Sequence, residues 1–163
     1  MAWALQFDGV NDYASLGSSI ALTGDFELVI KFKLSASGNN FITGNSVSTA
    51  NWIGVFSSSF TARVTGASIN IPTLPTVGVW YTATLKRVGT LVTFSEPVLG
   101  SNSSTYTGSF TFNQFGRYST STSLIMDGEI EYITLDTSGT PTNNWDATAS
   151  SHASGTPILT DTI

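Results

Sequence analysis

The sequence predicts an all-β protein folded as a two-sheet antiparallel sandwich. The clearest sign is residues 26–34, where Phe26, Leu28, Ile30, Phe32 and Leu34 alternate with Glu27, Lys31 and Lys33. That period of two describes a strand with one dry and one wet face. Helix signals are the second observation: no window repeats apolar residues at i, i+3, i+4 and i+7 beyond a single turn. Composition is the third. More than a quarter of the 163 residues are Ser or Thr, and charged residues are only 10%, against about 25% in an ordinary soluble domain. β-branched Thr suits a pleated surface, so polarity of this kind favours sheet.

Each element follows from the same alternation. Trp3, Leu5 and Phe7 alternate with Ala4 and Gln6 and open the first strand. Further strands are expected at 40–43, 52–56, 60–65, 79–88, 90–95, 109–115 and 122–135. Turn residues separate them: Ser37-Gly38-Asn39-Asn40, Gly44-Asn45-Ser46, Pro72 to Pro75, Val88-Gly89-Thr90, Glu96-Pro97 and Asp127-Gly128. Many strands at this spacing imply a sandwich or jelly roll. After Asp136 the composition turns polar, relieved by Trp145, Ile158, Leu159 and Ile163. Residues 1–138 therefore read as the sandwich domain, and 139–163 as an extension of loop with one short strand packing on it or extending from it.

Bulk charge narrows the partners. The net charge is −5, with six scattered basic residues, so no basic stripe is available to neutralise the phosphates of nucleic acid. No stretch approaches the ~20 apolar residues of a membrane-spanning helix. Absence of Cys removes disulfides, thiolate metal sites and a Cys nucleophile. The opening Met1-Ala2-Trp3-Ala4-Leu5 has neither the basic nor the apolar region of a secretory signal. These features fit assembly in a bacterial cytoplasm.

Four segments in order resemble a known family. Leu5-Gln6-Phe7-Asp8-Gly9-Val10-Asn11-Asp12-Tyr13 is similar to the FDGxxDY opening of laminin-G-like domains, within the concanavalin A-like jelly rolls. Asp25 to Leu34 and Val79 to Arg87 resemble two of their internal strands. Phe115-Gly116-Arg117 with Met126 to Ile133 resembles the closing element. The resemblance covers roughly residues 3–138. It departs at Phe94-Ser95-Glu96-Pro97, where the family has a Tyr-x-Asp-Gly turn. The tail from Asn144 to Ile163 resembles a stretch that follows such domains in phage structural proteins. The resemblance thus implies a virion protein, a capsid decoration or tail-associated adhesion module. Its expected partners are other virion proteins, further copies of itself, or cell-surface glycans. A free or secreted carbohydrate-binding module, located outside the cell, is the alternative.

Catalysis is not expected. Laminarinase-type glucanases of this superfamily carry Glu-x-Asp-x-x-Glu on one strand. Retaining hydrolysis needs carboxyls about 5–5.5 Å apart, one of them a proton donor. The corresponding run is Glu129-Ile130-Glu131-Tyr132-Ile133-Thr134, and Thr134 cannot protonate a leaving oxygen at neutral pH. A glycoside hydrolase is therefore a remote reading. The sole histidine, His152, lies in the tail without a nucleophile elbow or metal partners.

Two binding sites are candidates. Calcium is common in the family, and Asp8, Asn11 and Asp12, joined by Asp127 from a neighbouring turn, are hard oxygen ligands of the right kind. The same residues also suit Asx-turns to their own backbone. A sugar needs an exposed aromatic platform, for which Trp52, Tyr106 and Tyr118 are candidates. Trp52 opens the run Trp-Ile-Gly-Val-Phe and fits the core as well.

Overall fold

A computed structural model of the chain describes residues 4–65, 67–119, 124–146, 152–153 and 156–157. Every regular element among them is a strand: β1 (Leu5–Asp8), β2 (Ala14–Leu22), β3 (Phe26–Leu34), β4 (Asn40–Asn45), β5 (Ser48–Phe56), β6 (Ser59–Val64), β7 (Ala67–Ile71), β8 (Trp80–Val88), β9 (Leu91–Glu96), β10 (Gly100–Thr105), β11 (Phe110–Phe115), β12 (Asp127–Thr137), β13 (Thr140–Asp146), β14 (His152–Ala153) and β15 (Thr156–Pro157). The first sheet runs β1-β12-β3-β8-β9-β10, with β13 also paired to β12. The second runs β2-β11-β4-β5-β6-β7, and β14 and β15 form a small hairpin. All described pairings in both sheets are antiparallel.

The dry faces meet in one core. β3 places Leu28, Ile30 and Phe32 there with no exposed surface, and β11 adds Phe110, Phe112 and Phe115. Aromatic rings stitch the sheets together: Phe32 meets Phe60 at 5.4 Å, Phe94 meets Phe60 at 4.8 Å, and Phe26 stacks on Phe110 at 6.5 Å. Burying each such ring is worth about 1.5–3 kcal/mol, so this alternation is what makes the two layers adhere.

The turns are held by polar side chains. Buried Glu96 accepts the N–H groups of Val98 and Leu99 at 2.7 and 2.8 Å. It fixes the β9–β10 turn. Arg87 closes the far end, donating to Gly89 O at 2.8 Å and to Gly108 O at 2.6 Å. Where the free edges of the two sheets approach, Asn102 donates to Asn70 O and accepts the N–H of Ser103.

Three strands, β2, β7 and β10, lie where no strand was expected, and all three are sheet edges. β12 begins at Asp127 rather than at 122. Before it, Ile125 bridges to Arg117 outside the sheets. The tail holds β13 as well as the β14–β15 hairpin, where one short strand was expected. β13 lies beside β12, so the extension shares the sandwich's first sheet. No described helix is long and apolar enough to cross a membrane.

Candidate functional site

The outer face of the first sheet gathers the three lysines, several acids, Trp80 and Tyr132. Because β3 turns Phe26, Leu28, Ile30 and Phe32 inward, Glu27, Val29, Lys31 and Lys33 must point out. Trp80, Thr82, Thr84 and Lys86 point out of β8 for the same reason. On β12 the alternation carries an irregularity. Ile130 pairs with Phe32 and Tyr132 with Lys31, which leaves Glu131 unpaired on β3. This bulge leaves Glu131 and Tyr132 both half-exposed. Glu129, Thr134 and Asp136 complete the outward set.

Register turns these residues into rows across the sheet. Glu129, Lys33 and Trp80 form one, and Tyr132, Lys31 and Thr82 the next. Thr134, Val29, Thr84 and Ser95 follow, then Asp136, Glu27, Lys86 and Thr93. Short, mostly hydroxyl-bearing side chains therefore form a band between two charged rows.

The charges are paired. Lys31 meets Glu131 at 2.7 Å, Lys33 meets Glu129 at 2.7 Å, and Lys86 meets Glu27 at 2.6 Å. The hydrogen bond to Glu131 raises the Lys31 pKa above its ordinary value, and the bond to Glu27 does the same for Lys86. Lys33 and Lys31 also stand over the Trp80 ring, at 5.0 and 5.6 Å from its centre, and Lys31 stands 5.9 Å from the Tyr132 ring. These contacts fix the indole on the sheet while leaving it half-exposed.

The aromatic candidates lie elsewhere. Trp52 is 4% exposed, packed against Phe41 at 5.1 Å, Phe56 at 5.9 Å and Tyr118 at 6.1 Å. This cluster occupies the outer face of the second sheet. The 116–119 segment lies flat on β4 there, so a Cβ on Gly44 would collide with the carbonyl oxygens of Arg117 and Tyr118. A stacking platform must show an open ring face, and Trp52 has none, so its place is structural. Its Nε1 is buried and lacks a hydrogen-bond partner. Tyr118 joins this cluster, 4.7 Å from Phe41, and its hydroxyl donates to Thr49 O. Tyr106 lies apart, packed on the main core with its hydroxyl against Gly108. The fold thus brings Trp52 and Tyr118 together and keeps Tyr106 away from them.

The acidic loop folds onto itself. Asp8 accepts the N–H groups of Val10 at 2.8 Å and Asn11 at 3.2 Å, and Asp12 accepts that of Asp8 at 3.2 Å. The bonds from Val10 and Asn11 hold the Asp8 carboxyl below its ordinary pKa. Asp127 lies opposite Asp8 in register, its side chain against Gly9. Among the described residues there is no group of three or more Asp, Glu, His or Cys side chains that could hold a metal ion. Asp8 and Asp12 accept the turn's own N–H groups. His152 contributes its backbone to the β14–β15 hairpin, pairing with Pro157.

Two antiparallel sheets in this strand order, packed through their alternating faces, decide the architecture. The fold is a two-sheet antiparallel jelly roll. It is similar to domains LG4-5 of the mouse laminin alpha1 chain, with TM-score 0.60 and 17% identity over 82% of this chain and 40% of that one. It is similar to the alginate lyase AlgAT5 of polysaccharide lyase family 7, with TM-score 0.50 and 13% identity over 73% of this chain and 62% of that one. A heptameric SAP-like pentraxin from Limulus polyphemus matches with TM-score 0.54 and 11% identity, over 82% of this chain and 73% of that one. The chain spans less than two thirds of the first two proteins. No protein-family model and no curated protein matches the sequence. These likenesses establish the jelly-roll fold, and a lyase is among the proteins that share it.

Sequence reasoning placed Lys31, Lys33, Glu129 and Glu131 on wet strand faces but overlooked Trp80 as a ligand candidate. The signal was present, because Trp80 heads the alternation Trp80, Thr82, Thr84, Lys86 opposite Tyr81, Ala83 and Leu85.

Proposed function

We propose that this chain is a non-enzymatic adhesion and structural module of a virus-like particle, a capsid decoration or tail-associated protein. Its working surface is the outer face of β12, β3, β8 and β9. The observation that carries the reading is the state of the two acids on β12. Glu129 and Glu131 each contact a lysine ammonium at 2.7 Å, and Thr134 stands where a glucanase would have its third acid. In the retaining pattern a carboxylic acid protonates the leaving oxygen, and the hydroxyl of Thr134 does not do so at neutral pH. The face is arranged to hold a ligand rather than to cleave one.

The particle setting is supported by the 10% charge, which leaves little repulsion against neighbouring copies. It is supported also by the tail's likeness to stretches in phage structural proteins. A free carbohydrate-binding module would use the same face in a different setting.

The test has two readouts. Particles sedimented from the source should contain peptides of this chain by mass spectrometry, and their absence would overturn the setting. Purified protein incubated with a polysaccharide panel should retain ligand without releasing reducing ends or unsaturated uronate. Catalytic release that is lost in Glu129→Gln would overturn the non-enzymatic reading.

A further inference from the structure

We infer that the ligand of this face is a neutral, hydroxyl-rich glycan and that acidic glycans are excluded from it. The inference rests on the binding role proposed above and specifies the chemistry of that site. The sequence holds three lysines, Lys31, Lys33 and Lys86, and all of them stand on this face. Each is already in contact with a carboxylate, at 2.6–2.7 Å. An incoming uronate or sulfate that reached an ammonium would lie beside Glu131, Glu129 or Glu27 as a like charge, which is unfavourable.

Counting charges leads the same way. Glu27, Glu129, Glu131 and Asp136 oppose three lysines on the described face, so the face carries one net negative charge. Asp8 and Asp127, paired at the β1 margin, deepen the imbalance. Among the described residues of this face every ammonium that a polyanion meets has a carboxylate beside it.

A neutral sugar finds matching chemistry. The band of Thr134, Val29, Thr84 and Ser95 crosses four adjacent strands, about 15 Å at ~4.8 Å between strands. Its hydroxyls both donate and accept, as sugar hydroxyls do. At one wall stands the half-exposed Trp80, whose orientation Lys31 and Lys33 fix by standing over its ring at 5.6 and 5.0 Å. A pre-set ring loses little freedom when a ligand docks on it. Because no ion pair forms with the ligand, affinity should barely respond to ionic strength, in contrast to any contact built on charge.

The experiment is a binding titration of the full chain against neutral manno-, gluco- and galacto-oligosaccharides. Oligoalginate and heparin-derived oligosaccharides form the acidic arm. Wild type should bind at least one neutral series, with less than a twofold change in Kd between about 0.05 and about 0.5 M NaCl, and should not retain the acidic set. Trp80→Ala should weaken the neutral ligand at least tenfold, and Trp80→Phe should recover part of the loss. The double change Glu129→Gln with Glu131→Gln frees Lys33 and Lys31 and should create salt-sensitive binding of oligoalginate. Circular dichroism identical to wild type certifies that each variant is folded. Acidic binding by wild type would overturn the inference and leave the binding role standing. Binding of neither set would overturn both.

Discussion

The two outer faces of the sandwich began from the same sequence pattern and ended differently. On the first sheet the outward residues are Glu, Lys, Thr, Trp80 and Tyr132, and the face is open. On the second, Phe41 and Trp52 also point away from the core, yet they are 1% and 4% exposed. The 116–119 segment covers them, and β4 is buried on both faces. Outwardness in a strand is therefore not exposure. What decides is whether a segment distant in sequence lies on top, and here the space over Gly44 admits one.

Breaking the covered face should cost the most. Phe41 touches Trp52, Phe56 and Tyr118, so Phe41→Ala should lose about 3–5 kcal/mol, the range of a buried Phe truncation. Urea denaturation would show it as a lowered midpoint with an unchanged slope. On the open face Trp80→Ala should shift the same midpoint far less while removing ligand binding. Equal losses at both positions would mean that the open face is also a packed layer. Gly44→Ala comes next. Its new methyl must displace the Arg117 and Tyr118 carbonyls, and overpacking of this kind costs about 1–3 kcal/mol. Hydrogen exchange should register it locally, as loss of protection at Asn45, whose N–H is bonded to Tyr118 O.

This contrast also explains what could be read from the sequence. β3 was legible to the residue because five apolar side chains alternate without interruption, and β8 was nearly so. β2, β7 and β10 were not. β10 is Gly-Ser-Asn-Ser-Ser-Thr and contributes no apolar side chain to a face, so its place rests on backbone pairing with β9 and on the Asn102 bond to Asn70 O. The start of β12 was misjudged because the apolar run Leu124-Ile125-Met126 reads as strand, although it is bonded to 116–118 outside the sheets. Trp52 and Trp80 illustrate the same limit at the site. Both are tryptophans in alternating runs, and only the three-dimensional cover separates the buried one from the open one. The acidic loop was partly legible. Its Asx-turn alternative was foreseen, and it is the arrangement that Asp8 adopts.

Smaller effects separate the faces by pH rather than by size. The covered face is held by apolar packing, so the stability gap between wild type and Phe41→Ala should be constant across pH. The open face is held by charge. Lys31 has its pKa raised by Glu131, so its contribution is fully present below the ordinary lysine value of 10.5 and is lost as pH rises through the higher folded value. Lys31→Met should therefore lie below wild type by no more than about 1 kcal/mol, as exposed ion pairs do, and the gap should close only at strongly alkaline pH. Asp8 behaves with the opposite sign. Its carboxyl is held below the ordinary value of 3.8 by the N–H groups of Val10 and Asn11, so its contribution is present above that pH and disappears as pH falls through the lowered value. Thermal melts of Asp8→Asn and wild type should differ at neutral pH and converge in acid. A gap that persisted at acid pH would show that the Asp8 turn is held by something other than its charge.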